Sequence, residues 1–295
     1  MLVFIGGVFL LQNLGVLPPS VWGSLWRLWP VVLILAGLEI LFGQRMPWLV
    51  GIVGLAAVIA ALGVAAGLSG GPGARATSIV NRTFETDLGT ARQAALTVRF
   101  GAGQLTLDAL SEPPPGRLAE MTFEGPGELV PAPTFTTIGE VARLDYQVNQ
   151  RGGPAAFPFL TGNGQSPRMQ VRVAPQVPIT SLVVQTGAAD ARIDLSRLRV
   201  ASLDMAVGAA TTWLRLPESG ATTAHISGGA ATIRLEVPPG VAAQIRHRGG
   251  LSAFNIDESR FPPAGNELHR SPDYDTNPNR VDVSIETGVT TIQVN

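Results

Sequence analysis

Hydrophobic and polar positions follow two different patterns along this chain, and the first pattern is a series of long apolar segments. Residues 1–17, 29–42 and 47–68 carry few polar side chains. A helix that spans a membrane needs about 20 apolar residues, with about 17 as the lower limit. The third segment exceeds this length, the second reaches it if residues 26–28 join the helix, and the first is marginal. The pattern predicts about three transmembrane helices within residues 1–68.

Tryptophan and glycine positions favour membrane helices over the alternative, which is a buried hydrophobic hairpin of a soluble protein. Amphipathic indole rings prefer the membrane interface. Four of the five tryptophans lie at the edges of the apolar segments: Trp22, Trp26, Trp29 and Trp48. Gly63 and Gly67 form a GxxxG pattern, which would allow close helix packing and a homo-oligomer formed through the helices.

Glu39 is the one charged residue inside the second apolar segment. An acid within a membrane is by default a candidate functional residue. Because Glu39 lies about one helical turn from the end of the segment, its side chain could instead reach the interface, and we favour this interpretation. Glu39 is therefore a candidate contact with the membrane or with a partner.

The second pattern begins after a Gly-rich linker, residues 69–80. Apolar and polar residues now alternate in short segments that are bounded by Gly and Pro, as in residues 96–100, 121–124, 141–148 and 169–173. Such segments are typical of β-strands. We predict a membrane α-helical N-terminus followed by an all-β domain over residues 81–295.

A glycine recurs every 21 residues within this domain. There are four regular copies, Gly187, Gly208, Gly229 and Gly250, and two outlying copies, Gly101 and Gly288. An apolar residue lies five positions before and six positions after each copy. Because Gly adopts a positive φ without steric cost, we predict that each copy forms a corner between two short strands. One such unit cannot bury its own inner face, so consecutive units must stack. The predicted fold is a Gly-cornered, β-solenoid-like domain.

The position seven residues after the glycine is charged in five copies: Asp108, Asp194, Arg215, Glu236 and Asp257. We predict that these side chains point away from the core and form a solvated face. An ordered ladder of charges that binds a ligand is the alternative.

Composition excludes several classes of function. The chain has 21 basic and 22 acidic residues, and three of these charges lie in residues 1–72. A purely soluble protein is therefore excluded. The near-neutral balance and the absence of a basic run argue against nucleic acid as a partner. Because the chain has no Cys, it has no disulfide framework and no thiol chemistry.

No group of residues indicates catalysis, a cofactor or a metal. His225, His247 and His269 are isolated on strands, whereas a metal site needs converging ligands. Asp190 and Asp194 could imitate the carboxylate pair of a glycosidase, but two charges on a repeat face explain them more simply. The glycine spacing does not match a phosphate-binding loop. We predict a protein that is not an enzyme and that uses no cofactor.

Residues 150–168 are rich in Gly and Pro but include Phe157, Phe159 and Leu160. An exposed apolar loop of this kind could dock on the bilayer or on a partner. We favour the alternative that it covers one end of the β-stack, because the terminal units of a stack need a cap.

Two parts of the chain resemble known families. The runs GVFLLQNLG, LWRLWP and LILAGL, in this order within residues 1–45, resemble the LiaI/LiaF-like transmembrane region of bacterial envelope-stress proteins. The runs TGAA, VGAA and GGAA around the regular glycines resemble the toast-rack β-domain, which occurs in LiaF-like proteins and in adhesin-like domains. This resemblance covers roughly residues 80–295. The chain departs from the toast-rack pattern at residues 258–280, which insert about 17 residues before the last glycine copy.

The resemblance implies a multi-pass protein of the bacterial cell membrane that contacts lipid and modulates the sensor histidine kinase of a two-component system. The alternative is a membrane-tethered β-scaffold outside the cytoplasm, with an adhesin-like or envelope-organising role. With three spans, Arg27, Arg75 and Arg82 lie on one side and Arg45 lies on the other. The positive-inside rule then favours a cytoplasmic β-domain, and a further helix would reverse this orientation.

Overall fold

The computed structural model describes residues 79–148 and 166–295. It divides the chain into two units, Met1–Ala76 and Thr77–Asn295, and all described residues belong to the second. The predicted transmembrane helices lie outside the described residues, as do the candidate contacts Glu39, Phe157, Phe159 and Leu160.

The described residues form one fifteen-stranded sheet that folds around a common core. The strands are β1 Ile79–Asp87, β2 Gln93–Ala109, β3 Arg117–Pro126, β4 Thr134–Ile138, β5 Val141–Gln147, β6 Arg168–Val173, β7 Ile179–Asp194, β8 Ser202–Val207, β9 Thr211–Arg215, β10 Ala221–Gly228, β11 Thr232–Glu236, β12 Ala242–Ile256, β13 Pro263–Gly265, β14 Leu268–Arg270 and β15 Arg280–Val294. This part of the chain contains a 3-10 turn at Gly127–Leu129 and no α-helix, so the all-β prediction is confirmed for it. Its first strand begins at Ile79, slightly before the predicted start of the domain.

Alternation of apolar and polar residues explains why these segments form strands. In β8, Leu203, Met205 and Val207 are buried, whereas Ser202 and Asp204 are exposed. Successive side chains of a strand point to opposite faces, so the apolar half of each strand enters the core. The predicted core positions five before and six after the glycines are confirmed. They are Leu96, Leu182, Leu203, Ala224, Ile245 and Val283, followed by Leu107, Ile193, Leu214, Leu235 and Val294, all at most 1% exposed, and Ile256, which packs partly against the core.

The repeat units pair in parallel, but their order in space differs from their order in sequence. The strand order through the units is β2, β7, β8, β10, β15, β12. The C-terminal strand β15 therefore lies between β10 and β12, in register with both. The prediction that consecutive units stack is wrong at this point, because residues 258–280 carry the chain back so that its last strand enters between two earlier ones.

Residues 258–280 also close one end of the stack. Phe261 is 0% exposed and belongs to the core. The short hairpin of β13 and β14 pairs antiparallel with β12. Ala243 N donates to Ser271 Oγ over 2.9 Å, and Ser271 N donates to Ala243 O over 2.8 Å. This segment is therefore a cap, as the terminal unit of a stacked array requires.

At the opposite end of the stack, β5 and β6 pair in parallel with β2, and antiparallel strands are added beyond them. The second half of β2 pairs with β6, and β3 and β1 continue the sheet beyond it. The first half of β2 pairs with β5, which in turn pairs with β4. As a result, β1 and β4 are edge strands at this end.

Candidate functional site

The repeat glycines form a column across the strands. Their order in space is Gly101, Gly187, Gly208, Gly229, Gly288 and Gly250. A Cβ on Gly208 would lie 2.6 Å from the carbonyl oxygen of Gly187, closer than real Cβ atoms come. None of the six has a positive φ, so the predicted left-handed corner is wrong. At Gly187 and Gly208, glycine is needed because the neighbouring backbone approaches too closely for a side chain.

Four glycines of the column, Gly101, Gly187, Gly208 and Gly229, line an open groove of about 950 Å³. Polar side chains from the strands before the glycines form its rim, among them Arg99, Gln147, Gln185 and Glu286. Arg99 Nη1 lies 2.8 Å from Asp145 Oδ2, and Arg99 Nε donates to Gln185 Oε1 over 3.3 Å. These bonds fix the orientation of the Arg99 side chain beside the exposed backbone of the glycines.

A row of charged side chains crosses the outer face of the strands that follow the glycines. Its members lie in register on neighbouring strands: Glu120, Arg172, Asp108, Asp194, Arg215 and Glu236. Arg172 Nη2 lies 2.5 Å from Glu120 Oε1, and Arg215 Nε lies 3.4 Å from Glu236 Oε1. The predicted polar face is therefore partly an ordered ladder, with like charges adjacent at Asp108 and Asp194.

Asp108 differs from the other acids of this row. Its Oδ1 atom is buried and accepts no hydrogen bond from the described residues. Burial raises the pKa of Asp108, although a hydrogen bond from Gln170 and the charges of Arg172 and Arg197 oppose the rise. A carboxylate in this environment is destabilised in its ionised form.

Asp190 and Asp194 do not have the geometry of a glycosidase pair. Both lie on β7, where four residues span roughly 13 Å, whereas the two carboxyl groups of such enzymes are at most about 9.5 Å apart. Asp194 Oδ1 also accepts hydrogen bonds from Ser196 N and Ser196 Oγ, at 3.0 and 2.6 Å. Asp194 is thus the acceptor of a local turn.

The histidines separate into one outward residue and one cluster. His225 lies on β10, opposite Asp204 and Ser284 in the sheet. His247 stacks on Phe254 with a centroid distance of 4.6 Å, and His269 lies 5.7 Å from the same ring. Burial lowers the pKa of His247, against the opposing charge of Glu267. No group of three or more His, Cys, Asp or Glu residues is placed to hold a metal ion in the described part of the chain.

The edge strand β4 exposes its whole length to solvent. Phe135 and Ile138 are 41% and 59% exposed. Among the described strands, β4 pairs with β5 alone, and it contains no charged residue. Natural edge strands are usually protected by charges, prolines or bulges, so β4 is open to pairing with another strand.

Sequence reasoning missed Trp213, which lies on the outer face of β9. The Arg192 guanidinium lies 4.2 Å from the centroid of its ring, and Arg234 is its neighbour on the next strand. The signal was present in the repeat, because the equivalent positions in the other copies are polar. They are Thr106, Arg192, Arg234, Asn255 and Gln293.

Two family models match this chain. The model described as the N-terminal domain of toast_rack matches residues 74–236, and the model of the LiaI-LiaF-like transmembrane region matches residues 1–41. Both resemblances inferred from the sequence are thereby confirmed. No curated protein matches the chain significantly. Within the described residues, no helix has the length and apolar character that a membrane crossing requires.

Solved structures share the β-domain fold. The crystal structure of a putative cell adhesion protein from Clostridium sporogenes has a TM-score of 0.65 at 18% identity, covering 74% of this chain and 99% of that chain. A putative adhesin from Bacteroides fragilis has a TM-score of 0.32 at 11% identity, covering 75% and 98%. The first likeness establishes a common fold.

Proposed function

Because this chain belongs to the toast-rack family and carries a LiaI-LiaF-like transmembrane region before its β-domain, we propose that it is a membrane-anchored regulator of the bacterial envelope-stress response. It acts without catalysis, by modulating a sensor histidine kinase of a two-component system. The observation that carries the proposal is the presence of both family matches on one chain. The N-terminal segments would cross the membrane several times, contact lipid and pack against the helices of the kinase.

The edge strand β4 supports this proposal by offering a docking surface for a kinase domain. An unpaired edge presents a row of backbone N–H and C=O groups that an extended segment can join as an additional strand. Phe135 and Ile138 would supply apolar contact, since both are exposed and no charge lies between them.

The test is transcription from envelope-stress promoters in cells that lack the chain. We expect deletion to change the basal response and the intact chain to restore it. A chain with Phe135→Asp and Ile138→Asp should be present at normal level but should not restore it. The control is Val289→Asp, at a position that is 62% exposed and distant in sequence from β4. An unchanged basal response after deletion would reject the regulator.

The second candidate is a membrane-tethered β-scaffold outside the cytoplasm. It is supported by the fold shared with the putative cell adhesion protein of Clostridium sporogenes. The scaffold requires the β-domain to be exposed at the cell surface, whereas the positive-inside rule favours the cytoplasm. Digestion of intact cells with protease distinguishes the two locations, because complete protection of the β-domain would exclude the scaffold.

A further inference from the structure

A polar cavity of about 300 Å³ opens where β2, β6 and β7 end. The side chains that shape it are Asp108, Gln170, Arg172, Asp194, Ser196 and Arg197. This volume is at the lower end of the range for small-molecule sites. Neither the family matches nor the proposed regulatory role assigns a ligand to this cavity.

A break in a local sequence pattern leaves one oxygen of this cavity without a partner. Asp194 and Asp257 are each followed two residues later by a serine, and the serine N and Oγ both donate to the aspartate Oδ1. Asp108 has Leu110 at the equivalent place. Its Oδ1 is therefore buried without a donor. The Asp108 side chain as a whole is half-buried, so a shift of its carboxylate would bring this oxygen to a ligand group with a proton to donate, which is favoured because an unpaired buried acceptor is unfavourable.

The charges of the cavity balance one another. Asp108 and Asp194 oppose Arg172 and Arg197. Arg172 is paired with Glu120, and Arg197 Nη2 donates to Ala109 O over 2.9 Å. A guanidinium has five N–H donors, so both arginines keep donors for a ligand. The two carboxylates would repel a phosphate, and the two guanidinium groups would repel an ammonium group.

A hydroxyl group both donates and accepts, which is what this set of side chains requires. Trp213 lies on the same outer face, two strands across and two residues along from Asp108, roughly 12 Å away. The Arg192 guanidinium stacks on the indole of Trp213, so a further sugar ring would contact the part of the indole that stays exposed and the donors of Arg192. We propose that the cavity around Asp108 binds a neutral saccharide, with one ring between Asp108, Gln170 and Arg197 and the chain running toward Trp213.

The test is calorimetric titration of the full-length protein in a detergent without a sugar headgroup. The probes are cellobiose and N,N′-diacetylchitobiose, with inorganic phosphate and glucosamine as the anionic and cationic comparisons. We expect saturable binding of at least one neutral disaccharide and weaker binding of both charged probes. No saturable binding of either disaccharide, or a preference for phosphate or glucosamine, would overturn the proposal.

Asp108→Ala should weaken disaccharide binding at least tenfold. The matched control is Asp190→Ala, an exposed acid on the same face of β7 that does not line the cavity. Equal losses in the two variants, or no loss in Asp108→Ala, would contradict the assignment. If Asp108→Ala does not fold, hydrogen exchange of the unaltered protein decides the question. The saccharide must then slow exchange at residues 104–111 and 168–173, and unchanged exchange there rejects the site.

Discussion

The carbonyl oxygen of Gly187 lies 2.6 Å from the place that a Cβ on Gly208 would occupy. The corresponding distance is 3.2 Å for Gly229 and 3.4 Å for Gly250, which follow further along the column. The spacing of the backbones at the column is therefore tight near β7 and relaxed at the capped end. We expect that a side chain added to a glycine of the column destabilises the protein more where the distance from its Cβ to the neighbouring carbonyl oxygen is shorter.

Gly208→Ala tests the distance explanation at a single residue. We expect a loss of about 1–3 kcal/mol in the free energy of unfolding, because a methyl group would force apart two packed backbones. Gly250→Ala is the control, and it should change stability by less than about 0.5 kcal/mol. Urea unfolding followed by circular dichroism measures both. Equal losses would mean that backbone conformation, and not close approach, selects glycine in the column.

The 21-residue period identified the glycines of the column, because the spacing of residues can be read directly from the sequence. It did not reveal the reason for glycine, because φ and the distance between strands depend on packing between distant segments. Gly103 illustrates the difference. It has a φ of +123° and faces Pro167 O, but it lies outside the period, so nothing in the spacing marks it. The unpaired oxygen of Asp108 is similar, since its surroundings include Gln170 on β6 and Arg197 in the turn after β7, which are distant from it in sequence.

At the scale of elements, the segment 258–280 decides how the stack ends. It places Phe261 in the core, and Phe261 N donates to Asp257 O over 2.9 Å. Arg260 Nη1 and Nη2 donate to Val237 O and Pro238 O, at 3.0 and 3.2 Å. Side-chain and backbone hydrogen bonds thus connect the cap to the segments that follow β11 and β12.

Phe261→Ala should lower the free energy of unfolding by about 3–5 kcal/mol, because a fully buried ring is lost from the core. Phe135→Ala is the matched control on the edge strand β4, where the ring is 41% exposed, and we expect a change within about 0.5 kcal/mol. Thermal and urea unfolding of the two variants provide the comparison. A small effect at Phe261 would show that the cap does not stabilise the stack.

The strands were predictable from alternation, and the insertion was visible as a break in the period. The order of the strands in the sheet was not predictable, because the partners of a strand depend on which sheet edges are free after the other strands have paired. The sequence shows that Gly288 is a late copy, and it does not show that this copy pairs with β10 and β12. The register of the strand pairs was easier to predict than the order of the strands in the sheet, because a shift by one residue would turn the apolar side chains outward.

At the scale of the whole molecule, the strand that comes last among the described strands lies in the middle of the sheet. β15 pairs with β10 and β11 on one side and with β12 on the other. Without it, β10 and β12 would each present an unpaired edge, and the core residues Val283 and Ile285 would be missing. Parallel pairing between distant segments also makes folding slow. The domain can therefore close only after residues 280–294 are available to pair.

Hydrogen exchange of the full chain tests this arrangement. Strands at the edge of a sheet open locally and exchange early, but β15 is paired on both sides, so its amides should exchange only through global unfolding. The comparison is β1, which lies at the other end of the domain sequence and pairs on one side with β3. We expect residues 280–294 to exchange orders of magnitude more slowly than residues 79–87. Early exchange of both segments would place β15 at an edge and contradict the strand order on which the cap and the closed core depend.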